Sequence, residues 1–214
     1  MKTYLQCLLL TPWVALGGDF VNLTFDQPDL TGSLTPIYPG GPLRGDTALL
    51  LRGWQLLGDG KPLKTMAYSP SGTSSATPAT LDEYASGPAQ LGFGRYGLIL
   101  ESIPPPPNNP ELSLRQSGTI PGGTASLGFF SNGRLTVWIN GQQAGVANVD
   151  VNAYNQLDVS LFAGQLVDLE FRFPKNSSQA FDIFGFTQIP EPLTWMLLGV
   201  GAAGLVWQRR HRPR

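Results

Sequence analysis

The clearest pattern in this sequence is an alternation of apolar and polar residues in its second half. In the segment RLTVWIN, Leu135, Val137 and Ile139 face one side while Thr136 and Trp138 face the other. This period of two is that of a β-strand with one buried face. Apolar segments of similar length recur along the chain, and no segment of useful length has the period of a helix. The pattern therefore predicts an all-β body.

A second segment, LVDLEFRF, predicts another half-buried strand. Leu166, Leu169, Phe171 and Phe173 are predicted on its buried side, with a slip in the alternation near Asp168. Further strands are predicted at FVNLTF, TALLLRGWQLL, YGLILES, ASLGFF, NQLDVSL and AFDIFGFTQI.

Turn signals lie between these segments. Asn-Gly occurs at 132–133 and again at 140–141, and this dipeptide suits a type I′ turn because both central residues need a positive φ. Because the two dipeptides flank RLTVWI, they predict successive hairpins. Eight or more short strands with tight turns and no helices favour an antiparallel β-sandwich, specifically a jelly roll.

Composition agrees with this fold class. The chain contains 26 glycines and 19 prolines, and its charged residues make up only 14%, against a typical ~25%. From Gly18 to Pro190 we count nine Lys or Arg and fourteen Asp or Glu, whereas the last six residues hold four Arg. The mildly acidic body argues against a nucleic-acid partner. Cys7 is the one cysteine, so the body has no disulfide framework.

The first residues, MKTYLQCLLLTPWVALGG, have the features of a secretory signal peptide. Lys2 supplies the positive charge, Leu5 to Leu16 form an apolar stretch, and small residues favour cleavage after Gly17. The alternative is a buried N-terminal strand or helix. We expect a leader at 1–17, a β-sandwich at 18–188 and a separate tail at 189–214.

Catalytic chemistry has little support in the sequence. The one histidine is His211, in the basic tail, so the body has neither a His-based triad nor a His metal site. We therefore expect that the protein is not an enzyme. Trp138 and Tyr154 are candidates for binding a sugar, because an aromatic ring packs against the apolar face of a sugar. The alternative for Trp138 is packing beneath a loop.

The tail begins with Pro190, Glu191 and Pro192, and seventeen uncharged residues separate Glu191 from Arg209. That length is at the lower limit for spanning a bilayer, about 17–25 residues. Arginines beyond the apolar run favour a cytoplasmic C-terminus, which predicts a C-terminal transmembrane helix and a body on the outer side of the cytoplasmic membrane.

This order of triplet, apolar run and arginines resembles the PEP-CTERM sorting signal of Gram-negative bacteria. The resemblance implies that an exosortase, a membrane protease, recognises Pro190, Glu191 and Pro192, cleaves near them and passes the protein to the outer surface or matrix. Leu193 to Trp207 would be a transient anchor, and Arg209 and Arg210 its stop.

The body is similar to the galactose-binding-like jelly rolls of carbohydrate-binding modules. The segments that carry the resemblance are VNLTFDQPDL, RGWQL, LDVSLFAGQLVDLEFRF and FDIFGFTQIPEP. In such domains acidic groups of the first and last strands often hold a structural Ca²⁺, so the resemblance implies a shared calcium site at Asp26 and Asp182.

These observations predict a non-catalytic exported protein of the cell surface or extracellular matrix. It would pass through a membrane-anchored precursor that an exosortase processes. The alternative is a carbohydrate-binding module that binds exopolysaccharide or a cell-surface glycan.

Overall fold

Two β-sheets share one hydrophobic core in this protein, whose computed structural model describes residues 19–70, 77–83, 95–101, 110–147 and 153–188. The predicted leader at 1–17 and the predicted C-terminal helix lie outside these residues. Within the described ranges, no helix is both long enough and apolar enough to cross a membrane.

The described chain forms fourteen strands, one helical turn and one 3-10 turn. The strands are β1 Thr35–Pro36, β2 Leu43–Asp46, β3 Gln55–Gly58, β4 Lys61–Pro62, β5 Thr65–Ser69, β6 Ala79–Glu83, β7 Tyr96–Glu101, β8 Leu112–Thr119, β9 Thr124–Ser131, β10 Leu135–Ile139, β11 Gln142–Ala147, β12 Ala153–Asp158, β13 Leu166–Phe173 and β14 Ser178–Gln188. The helical turn α1 is Thr47–Leu50, and the 3-10 turn is Ser160–Phe162.

The larger sheet has eight strands in the order β1-β2-β5-β6-β7-β14-β9-β12, and the smaller has six in the order β11-β10-β13-β8-β3-β4. Neighbouring strands are antiparallel except for β5 and β6, which run parallel. The prediction of an all-β body with two mostly antiparallel sheets is confirmed.

From β7 onward the chain moves back and forth between the two sheets. The larger sheet contains the block β7-β14-β9-β12, and the smaller contains β8-β13-β10-β11. The inner faces of both blocks contribute to the same core. This second half of the chain is also where the sequence alternates most regularly.

The alternation on β10 is as predicted, but the alternation on β13 differs at its first residue. Val167, Leu169, Phe171 and Phe173 are buried without a slip, and Leu166 is exposed on the outer face. Placing Leu166 in the core was therefore wrong. The strand stays regular because Asp168 also points outward, where Arg115 and Ser117 donate hydrogen bonds to its carboxylate.

Aromatic rings fill the centre of the sandwich. Each sheet contributes rings, and Phe181 on β14 contacts four others, with centroid separations between 4.8 and 6.2 Å. The central rings are Phe25, Trp54, Phe129, Phe171, Phe173 and Phe181. Trp54 Nε1 donates a 3.1 Å hydrogen bond to the carbonyl oxygen of Asn22, so the one polar atom of this buried indole is satisfied.

The two Asn-Gly dipeptides have different roles. Asn140 and Gly141 have φ values of 53° and 74° and join β10 to β11 in a tight hairpin, as predicted. The dipeptide at 132–133 connects β9 and β10, which belong to different sheets. The prediction of a hairpin there was therefore wrong. Asn132 instead exchanges hydrogen bonds of 3.3 and 2.7 Å with the backbone of Ala180.

The first predicted strand, FVNLTF, is a turn. Asn22 and Phe25 have positive φ values of 51° and 59°, and Phe25 N–H donates to the Asn22 carbonyl at 3.1 Å. The next apolar run also differs, because it begins as α1, where Asp46 Oδ1 accepts a 2.8 Å hydrogen bond from Ala48 N–H. Only its last residues form β3.

Candidate functional sites

Trp138 lies on the outer face of the six-stranded sheet. It is on β10, directly opposite Glu170 of β13, and the neighbouring Thr136 is opposite Arg172. The indole is half-buried, and its Nε1 donates a 3.1 Å hydrogen bond to Thr136 Oγ1. The position predicted from the alternation is therefore correct, and the ring lies along its own strand.

Arg172 covers this ring. The guanidinium carbon is 4.1 Å from the centre of the Trp138 ring, within the range of a cation–π interaction. Arg172 Nη2 also forms a 2.9 Å ion pair with Glu170 Oε2. Partial burial raises the pKa of Glu170, but the hydrogen bond and charge of Arg172, together with a hydrogen bond from Ser113 and the charge of Arg115, lower it overall, so the carboxylate stays ionised.

A surface cavity of about 320 Å³ opens beside this stacked pair. Its walls combine apolar side chains with charged groups of both signs. The lining residues are Glu111, Arg134, Leu135, Thr136, Trp138, Arg172, Phe173 and Pro174. Arg134 is exposed and makes no hydrogen bond or ion pair with another described residue. The cavity is thus lined by the guanidinium of Arg172, which is paired with Glu170, and by that of Arg134, which has no partner among the described residues.

This arrangement suits a ligand rich in hydroxyl groups. Arginine donates several hydrogen bonds in a fixed geometry, and carboxylates accept them, while Trp138, Phe173 and Pro174 supply apolar walls. Because Arg172 lies over the indole, a ligand ring would meet the stacked pair and not a bare Trp138 face. Period-two alternation on β13 was the signal that could have placed Glu170 and Arg172 on an outer face, although not next to Trp138.

Tyr154 lies on the outer face of the eight-stranded sheet, opposite Phe130 on β9. The side chain is half-exposed, and its ring centre is 5.0 Å from that of Phe184. A Cβ on Gly128 would come within 2.7 Å of the Tyr154 hydroxyl oxygen, so the absence of a side chain at Gly128 makes room for the ring. Trp138 and Tyr154 are thus on opposite outer faces and do not share one site.

Asp182 is buried on the outer side of β14, with 1% of its surface exposed. Its Oδ1 accepts a 2.8 Å hydrogen bond from Ile183 N–H, and its Oδ2 has no hydrogen-bond partner among the described residues. Burial, with a contribution from the negative charge of Asp26, raises the pKa of Asp182 to about 8. Asp182 is thus largely protonated at neutral pH.

Asp26 is near enough to Asp182 to influence its charge, but its Oδ1 is already engaged. It accepts hydrogen bonds of 2.8 and 3.4 Å from the backbone N–H groups of Arg95 and Tyr96. No cluster of three or more His, Cys, Asp or Glu in the described ranges could hold a metal ion, whereas calcium takes six to eight oxygens. The side chains described here do not complete a calcium shell, and calcium at Asp26 and Asp182 stays a prediction.

Another acidic residue, Glu83, is held by hydrogen bonds from neighbouring side chains. Tyr68 donates a 2.7 Å hydrogen bond to Glu83 Oε2, and Arg95 donates through Nε and Nη2 at 2.8 and 2.6 Å to Oε1. The hydrogen bond from Tyr68 is the largest cause of a lowered pKa for Glu83. These contacts hold β5, β6 and the start of β7 together.

The predicted sorting residues Pro190, Glu191, Pro192, Arg209 and Arg210 lie outside the described residues. What the structure shows is where the tail begins, because β14 ends at Gln188. The body is thus a β-sandwich that is followed at once by a C-terminal signal segment. Residues 188–210 match the PEP-CTERM protein-sorting motif, so the chain carries this sorting signal and is an exported protein that is membrane-anchored during sorting.

Two solved structures are weakly similar to the body. One is a crystal structure of the beta-glucosidase from Kluyveromyces marxianus in complex with glucose, at 9% identity and a TM-score of 0.31, covering 64% of this chain and 15% of that one. The other is a crystal structure of the GH31 alpha-xylosidase from Xanthomonas citri, at 12% identity and a TM-score of 0.28, covering 74% of this chain and 16% of that one. The chain thus spans about a sixth of the length of these enzymes. A search of curated proteins finds no match to this sequence.

Proposed function

We propose that this protein is a non-catalytic component of the cell surface or extracellular matrix, sorted there by an exosortase-type membrane protease. The observation that carries the proposal is the sorting motif at residues 188–210, which begins at the last residue of β14. Cleavage near Pro192 would release the β-sandwich from its anchor and leave all fourteen strands intact.

The strand order supports a jelly roll as the shape of the released body. A jelly roll has eight strands in two sheets, wound as two Greek keys. The blocks β7-β14-β9-β12 and β8-β13-β10-β11 agree with that winding, and β1 to β6 extend the two sheets at the β7 and β8 edges.

Mass spectrometry of the mature protein from exosortase-containing cells tests the sorting proposal. We expect a C-terminus near residue 192, because the resemblance places the cleavage at the Pro-Glu-Pro triplet. The double variant Pro190→Ala/Pro192→Ala should remain uncleaved and stay in the membrane fraction. Surface-exposed protein with an intact Arg214 would contradict the proposal, and cells that lack the protease provide the control.

The second candidate function is binding of exopolysaccharide or a cell-surface glycan. The cavity beside Trp138 and Arg172 favours it, because about 320 Å³ is within the size range of small-molecule sites, about 300–1,000 Å³. Its mixture of apolar walls and charged hydrogen-bonding groups is suited to a sugar. Tyr154, on the other outer face, remains a separate candidate.

Polysaccharide pull-down with alanine variants tests this second candidate. We expect Trp138→Ala to weaken binding at least about tenfold, equivalent to about 1.4 kcal/mol, because it removes both a wall of the cavity and the support of Arg172. Tyr38→Ala is the matched control, since it removes a half-exposed aromatic side chain that does not line the cavity. Tyr154→Ala separately tests the candidate on the opposite face. Equal binding by the Trp138→Ala variant and the unmodified protein would argue against this site.

A further inference from the structure

One end of the sandwich is where the chain leaves toward its sorting signal, and we call it the exit end. It is defined by Gln188, the last residue of β14, which pairs with Thr124 at the start of β9. The turn that connects β8 to β9 and the 3-10 turn Ser160–Phe162 lie at the same end, because Val159 N–H donates to the carbonyl oxygen of Ala125 at 3.1 Å.

Leu161 and Leu166 are the two most exposed large hydrophobic residues of the described chain, at 84% and 57%. Both lie at the exit end. Leu161 is in the 3-10 turn, and Leu166 begins β13 opposite Thr119, the last residue of β8. An isolated exposed leucine needs no explanation, but the two most exposed large hydrophobic residues of the described chain are both at the end where the chain leaves the fold.

The backbone beneath these leucines is fixed by hydrogen bonds. Gly164 N–H donates to the Ile120 carbonyl at 2.8 Å, and Ile120 N–H donates to the Gln165 carbonyl at 3.0 Å. Gln165 Nε2 also donates to the Leu161 carbonyl at 2.8 Å. These hydrogen bonds fix the backbone on which the exposed Leu161 and Leu166 lie.

The length of the connection determines which end of the body faces the membrane. Five residue steps separate Gln188 from Leu193, where the uncharged apolar run starts, and they reach at most about 18 Å. β13 alone has eight residues and spans about 27 Å. While the chain is anchored, the exit end is thus held near the bilayer surface and the opposite end is kept away from it.

Two of the connections at the exit end lack basic residues. The β8–β9 connection reads IPGG and the segment before β13 reads VSLFAGQ, so neither contains Lys or Arg. Contact with lipid here would depend on apolar side chains and would change little with salt.

We propose that Leu161 and Leu166 form a membrane-contacting patch, which seats the exit end in the outer interface of the cytoplasmic membrane while the precursor is anchored. The proposal rests on the anchored precursor of the proposed function. Shallow insertion of two apolar side chains beside the tether would orient the body and hold the Pro-Glu-Pro triplet at the membrane surface, where a membrane protease can reach it.

Site-specific fluorescence on the full chain tests the patch. In a Cys7→Ser background, Leu161→Cys is labelled with an environment-sensitive dye and the chain is reconstituted into phosphatidylcholine vesicles. We expect a blue-shifted and several-fold brighter emission, quenched by lipids with a nitroxide near the headgroup. Ser178→Cys is the matched control, because it is exposed at the start of β14, at the opposite end, and its dye should not respond.

The outcomes separate the patch from the anchor on which it depends. If the chain floats with the vesicles but the dye at residue 161 behaves like the dye at 178, the patch is overturned. The same holds if the dye responds only when exosortase is present, because the occupant is then the protease. If the chain does not float, the anchor itself fails. Leu166→Cys is a second reporter, and near-ultraviolet circular dichroism verifies that each variant is folded.

Discussion

Asp182→Asn is expected to stabilise the protein at pH 8 by about 3 kcal/mol and to have little effect at pH 4. In the folded protein, burial raises the pKa of this carboxyl to about 8 from its ordinary value of 3.8. One pKa unit corresponds to about 1.4 kcal/mol, which sets a ceiling near 6 kcal/mol. We expect about half of it, because local relaxation and water penetration lower the cost of a buried charge.

The direction follows from linkage between protonation and folding. Between pH 4 and pH 8 the folded state holds a proton on Asp182 that the unfolded chain releases. The contribution of this group is thus fully present below pH 4 and is lost as the pH rises toward 8. Asp26 raises the pKa of Asp182 further through its negative charge. The buried Asp82 lies on the same outer face. Its partner on β7 is Gly97, and the next residue, Leu98, pairs with Phe181 beside Asp182.

Urea unfolding at pH 4, 6 and 8 measures the effect. The free energy of unfolding of the unmodified protein should fall across this range relative to that of the Asp182→Asn variant, because only the unmodified protein must ionise Asp182. Asp168→Asn is the control, because hydrogen bonds from Ser117 and Arg115 lower the pKa of Asp168. Removing this carboxylate should therefore destabilise the protein at pH 8. Equal pH dependence in the Asp182→Asn variant and the unmodified protein would contradict the assignment.

The same two proteins can be used to test for calcium binding through their melting temperatures. If Ca²⁺ binds at Asp182, it needs the ionised carboxylate, so it would raise the melting temperature of the unmodified protein at pH 8 and leave the Asp182→Asn variant unchanged. An absence of any shift at millimolar Ca²⁺ would count against the calcium site.

Local alternation indicated strands within β9, β10, β12, β13 and β14 but did not indicate β8 or β11. It works best where a strand has one face in the core and the other in solvent. β10 and most of β13 follow this rule residue by residue. Leu166 was misplaced because hydrophobicity alone was used, whereas the regular strand geometry places it outside.

The first half was harder to predict because hydrogen bonds with distant residues decide its structure. Trp54 and Gln116 both donate to carbonyl groups of the turn at 21–22, and these partners are far away in sequence. The same reason explains Asn132–Gly133, since a type I′ signal was overridden by hydrogen bonds with Ala180.

Of the candidate sites, the sequence could indicate Trp138 but not its surroundings. Which strand lies next to β10 is a property of the fold, so the stacking of Arg172 over Trp138 could not be predicted from β10 alone. The sorting signal was the most predictable element, because it depends on the local order of residues and not on a folded partner.

Phe181→Ala is expected to lower the free energy of unfolding by about 4 kcal/mol. The side chain is fully buried, and truncating a buried phenylalanine costs about 3–5 kcal/mol through lost burial and the cavity that remains. Phe181 also contacts the rings of Phe25, Phe129, Phe171 and Phe173. A loss of this size is a large part of the ~5–15 kcal/mol that stabilises a typical domain.

Urea unfolding at fixed pH measures this loss, and two variants bracket it. Phe181→Leu keeps most of the volume and should cost about 1–1.5 kcal/mol. Leu161→Ala truncates a side chain that is 84% exposed and should change stability by no more than about 0.5 kcal/mol. Because Phe181 contacts aromatic residues from both sheets, its truncation should weaken the sandwich as one cooperative unit. A Phe181→Ala variant as stable as Leu161→Ala would show that the rings do not form the common core of the two sheets.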